Sequence, residues 1–307
     1  MFSFIQCFVY ATVLLISPDP VLAGFSGDSQ QNIAIYWDTD IDIIPLAFMN
    51  GISPMIVNFA SAGDKCDKFS DNPLLLRCPD IEQDINTCQK KYGKTIILSL
   101  GGATYTQGGW SNSSDAEIAA RSVWDTFGPV PSDRNVSRPF GSAVVDGFDF
   151  DFESVTNNLP AFGAELRRLI DGTVDKKYYL TAAPQCVFPD AAVGPTLDTV
   201  GFDFVMVQFY NNWCGVSNFQ LDSKTENAFN FDVWEKWAKG SKNPKVKVFL
   251  GIPANTGAGS GYTNGEKLKA VITYSKKFDS FGGVMMWDMS QLYASSSFLN
   301  EVVGDLA

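Results

Sequence analysis

Apolar, β-branched and aromatic residues gather in eight short runs: Ile33–Trp37, Ile43–Phe48, Thr95–Leu100, Val144–Phe152, Tyr178–Ala183, Phe204–Tyr210, Val246–Ile252 and Gly283–Trp287. Each has the length and residue types of a strand. The runs are nearly continuous in apolar character, as expected of parallel strands buried on both faces, so the few polar residues inside them need a reason. Between most of them lie amphipathic stretches such as Leu159–Ile170, Phe231–Ala238 and Lys267–Phe278, whose apolar spacing suits helices laid on a sheet. Strands and helices alternating in this way predict an α/β fold, a (β/α)8 TIM barrel. The 307 residues fit one such barrel, and no linker-like run or internal repeat divides them. A single domain over residues 24–307 is expected.

One interval breaks the alternation. Only Asp38, Thr39, Asp40, Ile41 and Asp42 separate the first two runs. Neighbouring parallel strands ordinarily need a crossover of about a dozen residues or more. The first β–α crossover is therefore missing, and the first strand is expected to misplace, rewire or fray. Without a covering helix, apolar surface on Ile33, Ile35, Ile43 or Leu46 should be exposed or covered irregularly.

The amino terminus carries an apolar run, FVYATVLLI, followed by a small-residue end, Val21-Leu22-Ala23. This predicts a secretory signal over residues 1–23, too short and too interrupted by proline for a membrane span. Two sequons, at Asn112 and Asn135, fit the same route but arise easily by chance. Removal of the signal takes Cys7 with it and leaves an odd number of cysteines, Cys66, Cys78, Cys88, Cys186 and Cys214. A net charge of −11 makes nucleic acid and anionic membranes poor partners, and suits a neutral polymer better. The chain has no histidine, which excludes serine–histidine and cysteine–histidine catalysis and removes the commonest metal ligand. Carboxylates remain as acid–base groups.

They occur together in Asp146-Gly147-Phe148-Asp149-Phe150-Asp151-Phe152-Glu153. On a strand, side chains alternate between faces, so Asp149, Asp151 and Glu153 share one face while the three phenylalanines share the other. Three carboxylates about 7 Å apart in a lumen cannot all ionise cheaply at neutral pH, so at least one should hold a proton. A carboxylic acid kept neutral is what protonation of a glycosidic oxygen requires. The bland alternative is a solvated acidic strand face.

The run DGFDFDFE resembles the Asp-x-x-Asp-x-Asp-x-Glu signature of family 18 chitinases. NIAIYW (32–37), SLGG (99–102), YLTAAPQC (179–186), QFYN (208–211), FLGIPA (249–254) and GGVMMW (282–287) are similar, in order, to strands of the class III, plant and fungal type. The resemblance implies a retaining endochitinase with no cofactor. Its substrate would be chitin or chitooligosaccharides, and the protein would act as a secreted monomer. Glu153 would protonate the leaving oxygen, while the substrate's own acetamido oxygen attacks the anomeric carbon, unlike the two-carboxylate scheme. Asp151 would orient that acetamido group, Asp149 would share a proton with Asp151, and Tyr210 would support the acetamido group. Gln208, Asn211, Trp287, Gly101 and Gly102 would line the substrate site, the glycines by clearing room. Asp146 falls out of register and reads as structural. Relatives carry a helix where this chain has Asp38–Asp42. The resemblance also pairs Cys66 with Cys78 and Cys186 with Cys214, and gives Cys88 to neither bridge. Some barrels of this family are lectins or inhibitors that bind without cutting, and such a binding-only barrel, or a product inactivated by the internal gap, is the alternative.

Overall fold

The computed structural model describes residues 24–36, 41–132, 136–220, 228–293 and 296–307. The proposed signal, the sequon at Asn135 and most of the short first connection, from Trp37 to Asp40, lie outside them. The strands are β1 (Asn32–Ile35), β2 (Ile43–Met49), the hairpins β3 (Gly51–Ile52) with β4 (Met55–Ile56) and β5 (Asp67–Lys68) with β6 (Leu76–Arg77), then β7 (Thr95–Gly101), β8 (Gly147–Asp151), β9 (Tyr179–Ala182), β10 (Phe204–Gln208), β11 (Lys247–Pro253) and β12 (Phe281–Trp287). Leaving out the hairpins, eight strands close into a parallel barrel in the order β1-β12-β11-β10-β9-β8-β7-β2. Each corresponds to one of the eight apolar runs, and the barrel expectation is met.

The helices are α1 (Pro79–Tyr92), α2 (Ser113–Phe127), α3 (Leu159–Asp171), α4 (Gly194–Leu197), α5 (Phe231–Gly240), α6 (Gly265–Ser275), α7 (Met289–Leu292) and α8 (Ser296–Leu306). Local chemistry sets their ends. Pro79 opens α1, where the N–H that proline lacks would have had no partner within the helix, and Gly93 closes it at φ 64°, where a side chain would be strained. The Asn112 side chain caps α2 by accepting from the Asp115 amide at 3.0 Å. In α3, Leu159, Phe162, Leu166 and Ile170 recur at helical spacing and are buried against the sheet.

The first strand corrects its expectation. Far from misplacing, β1 runs parallel to β12 over Asn32–Ile35 and meets β2 at Ala34 and Ile43. Two bonds reinforce that junction: the Asp42 amide donates to the Ile33 carbonyl at 3.0 Å, and the Asp42 carboxylate accepts from the Ile33 amide at 2.8 Å. Ile33, Ile35, Ile43 and Leu46 are all buried, so the anticipated apolar exposure does not arise. The pairing of β1 with β12 holds the strand from its other side, so its position does not depend on the connection to β2.

At the amino-terminal end of the barrel, Phe25 fills the lumen. Its ring lies 4.4 Å from Phe204 and 5.2 Å from Tyr179, and its amide donates to the Thr95 hydroxyl at 3.0 Å. At the same end Asp146 accepts from Gln89 and the Ile96 amide and pairs with Lys176, the structural role expected of it. Disulfides join Cys66 to Cys78 and Cys186 to Cys214, as the resemblance implied. Cys88, however, is also disulfide-bonded, which overturns the expectation that it belongs to no bridge. No helix among the described residues is long and apolar enough to cross a membrane.

Candidate active site

The acidic motif runs up β8 and out of the barrel. The strand is shorter than the apolar run, ending at Asp151, because Val144–Asp146 belong to the turn below and Phe152 and Glu153 to the loop above. Phe148, Phe150 and Phe152 face outward and are buried among the helices, with Trp124 of α2 packing on Phe148 and Phe162 of α3 on Phe150. The carboxylates occupy three levels of the lumen, Asp149 deepest, Asp151 next and Glu153 exposed to solvent at the rim.

Asp149 has no contact with water and accepts three hydroxyl donors: Tyr36 Oη and Ser99 Oγ on Oδ2 at 3.0 and 2.8 Å, and Thr181 Oγ1 on Oδ1 at 2.7 Å. Burial pushes its carboxyl up, and the three bonds pull it back toward the ionised form. Asp151 has a weaker set of donors. Its Oδ1 accepts from Gln208 Nε2 at 3.0 Å, and its carboxyl lies well above the usual range because of burial and then the charges of Asp149, Glu153 and Asp190. Both carboxyls are thus raised, and Asp149 and Asp151 titrate as a coupled pair. Glu153 is raised by partial desolvation and by Asp190. Burial and the Asp151, Glu153 and Asp288 charges hold the Tyr210 hydroxyl far above its ordinary value, so it is a donor at any working pH.

The remaining expected residues lie on the same face, with different duties. Gln208 ends β10 and spends both amide hydrogens, one on Asp151 and one on the Ala183 carbonyl at 2.9 Å, which makes it a positioning residue for Asp151. Trp287 ends β12 half-buried, stacked on Phe48 at 5.8 Å and set edge-on to Tyr36 at 5.0 Å. Asn211, at φ 60°, turns its side-chain oxygen to Ser260 and so ties two loops together. The room cleared by the glycines is filled by the protein. A Cβ on Gly101 would stand 2.7 Å from the Asp151 carbonyl oxygen, and one on Gly102 would stand 3.0 Å from the Phe48 ring.

Tyr36, Ser99, Thr181 and Asp190 were not singled out in the sequence. Ser99 and Thr181 interrupt otherwise apolar strands, a signal that pointed to them. Tyr36 looked like a core aromatic. Asp190 lies in a loop, buried, its oxygens taken by the amides of Gln185, Ala192 and Val193.

The chain is similar to known proteins along most of its length. Residues 29–261 match the family described as glycosyl hydrolases family 18. Endochitinase 33 of Trichoderma harzianum is 54% identical, with 96% of this chain and 98% of that protein covered. A class III chitinase of Arthroderma benhamiae is 50% identical over 93% and 88%. Among solved structures, a xylanase and alpha-amylase inhibitor protein from Scadoxus multiflorus superposes with a TM-score of 0.72 at 28% identity, covering 89% of this chain and 98% of that one. On the family match and these identities, the chain belongs to glycosyl hydrolase family 18.

Proposed function

We propose that the protein is a retaining endochitinase, hydrolysing β-1,4-linked N-acetylglucosamine polymers with the help of the substrate's own acetamido group. One observation carries this reading: at the end of β8 a solvent-reachable Glu153 with a raised carboxyl follows two buried aspartates, Asp149 and Asp151, whose carboxyls are raised as well. The identity to Endochitinase 33 over nearly the whole chain supports it.

In the first step Glu153 gives its proton to the glycosidic oxygen as the bond from that oxygen to the anomeric carbon breaks. The acetamido oxygen forms the new bond to that carbon, giving an oxazolinium ion and an ionised Glu153. Tyr210 donates to the acetamido oxygen and holds it in line. As positive charge builds on the acetamido nitrogen, the proton that the buried pair shares settles on Asp149, and Asp151 becomes an anion facing the N–H. Gln208 keeps that carboxylate in place. Water then attacks the anomeric carbon from the side that the leaving group vacated and gives a proton to Glu153 as the bond from that carbon to the acetamido oxygen breaks. This restores the acid and the acetamido group, and the proton of the buried pair returns to Asp151. Trp287 offers its indole to the C–H face of the sugar. The residues of this cycle need no cofactor.

Secretion, guided by residues 1–23, and action as a monomer away from nucleic acid and membranes belong to the same proposal. The likeness to an inhibitor protein gives the binding-only barrel its one specific support. Hydrolysis of chitooligosaccharides, followed by anomer analysis of the fresh products, separates these readings. Initial β-anomer supports assistance, α-anomer rules it out, and binding without hydrolysis selects the inhibitor-like alternative.

A further inference from the structure

Three aromatic side chains are substantially exposed among the described residues: Phe188, Trp213 and Tyr293. All three lie on segments that follow a barrel strand at its carboxyl end, the face that holds Glu153. Trp213 is 60% exposed and Phe188 is 39% exposed. Leaving an indole in water is costly, and the cost is concentrated at one place.

The backbone presenting Trp213 is fixed on both sides. Its carbonyl accepts from Asn218 Nδ2 at 2.8 Å, the preceding Asn212 donates to Gln185 Oε1 at 3.0 Å, and the following Cys214 is bonded to Cys186. That disulfide brings the two Cα atoms to 5.8 Å, so Phe188, two residues beyond Cys186, and Trp213, one residue before Cys214, flank the same bridge. Phe188 is itself braced edge-on against the buried Trp234 at 5.2 Å. Trp213 follows Tyr210 by three residues, so the two Cα atoms are at most about 11 Å apart. Side-chain amides of Gln185, Asn212 and Asn218 bond within and beside this segment, on a protein of net charge −11. An apolar ring with amides around it, in an acidic protein, matches a neutral polymer of hydroxyls and acetamides better than it matches a charged peptide or a lipid.

We infer that Trp213, with Phe188 across the Cys186–Cys214 bridge, is a platform for further N-acetylglucosamine units of the chain whose scissile sugar lies over Asp151 and Tyr210. This rests on the endochitinase reading and extends it to how the enzyme holds a long chain. The ring stacks on the C–H faces of those sugars, and its fixed backbone means that little order is lost when they bind.

The test is steady-state kinetics of the wild type, Trp213→Ala and Trp213→Phe on N-acetylglucosamine oligomers of increasing length. KM of Trp213→Ala should rise about tenfold on the longest oligomers, the effect of one lost aromatic contact. On the shortest cleaved oligomer KM should be unchanged, with kcat and Tm equal to the wild type throughout. Trp213→Phe should recover most of the loss. An equal KM at every length, or an equal loss on short and long substrates, would overturn the platform. Should the wild type cut no oligomer, the endochitinase reading fails on its own. Calorimetric titration with the longest oligomer then decides the platform: weaker binding by Trp213→Ala upholds it, and equal binding removes it.

Discussion

Glu153 differs from the two aspartates below it in its access to water, and the proposed roles follow that difference. A group that must give a proton to the substrate and later take one from water has to reach both, whereas Asp149 is sealed under three hydroxyls. Glu153→Gln is expected to lower kcat on chitooligosaccharides by about 10²- to 10⁴-fold while retaining oligomer binding, since the amide keeps the shape but delivers no proton. A severalfold change would take Glu153 out of the mechanism. Asp151→Asn and Tyr210→Phe should lower kcat and kcat/KM together, because both groups act as the acetamido oxygen closes on carbon. Oligomers with glucosamine at the scissile position give the control, and equal cleavage of these would exclude acetamido assistance. At this scale the sequence was readable where chemistry is written in alternation: Asp149, Asp151 and Glu153 stood out because apolar residues separate them. It was silent on Gln208 as a clamp and on Asp190, whose influence depends on a loop folding back toward the rim. It did not announce what Gly101 and Gly102 pack against, the Asp151 backbone and the Phe48 ring, because a small residue looks the same whether it makes room for a ligand or for a neighbouring strand.

Elements were legible when their signal was local. All eight barrel strands follow from apolar runs, and α3 from its 3-4-4 spacing. The position of β1 was not, since pairing with β12 is a contact between the two ends of the described barrel, invisible to any local window. Helix α1 adds a pH response that no motif announces. Asp84 is partly buried on it, and its carboxyl is pushed up to about 7 by desolvation and then by Asp80, with Lys65 opposing. A carboxyl raised in the folded state binds its proton more tightly there than in the unfolded chain. Its contribution is complete below about pH 4 and is lost as pH rises toward 7. Asp84→Asn should therefore leave Tm unchanged near pH 4 and raise it at pH 8. Thermal melts across that range check this, and a variant curve parallel to the wild type at all pH values would refute it.

At the scale of the whole molecule, the barrel separates stability from chemistry along its axis: Asp146, Lys176 and Phe25 at the amino-terminal end, the carboxylates and aromatic rim at the other. Phe25 gives the first of these ends an unusual dependence. Cleavage after Ala23, as the sequence predicts, would make Gly24 the first residue and Phe25 the second, so the stopper of the barrel would sit at the very tip of the mature chain. Gly24 leaves little freedom in how it arrives there, for a Cβ at that position would lie 2.6 Å from the Gly93 carbonyl oxygen. Phe25→Ala should cost about 2 kcal/mol, somewhat less than a fully enclosed phenylalanine, and a chain beginning at Ser26 should lose at least as much. Calorimetric melting of both would show it, and an unchanged Tm would mean that the ring only rests in the opening. Maturation would then be a fitting step as well as a trimming step: a peptidase cutting two residues late would release an uncorked enzyme, with every catalytic group in place and a shorter life in the medium.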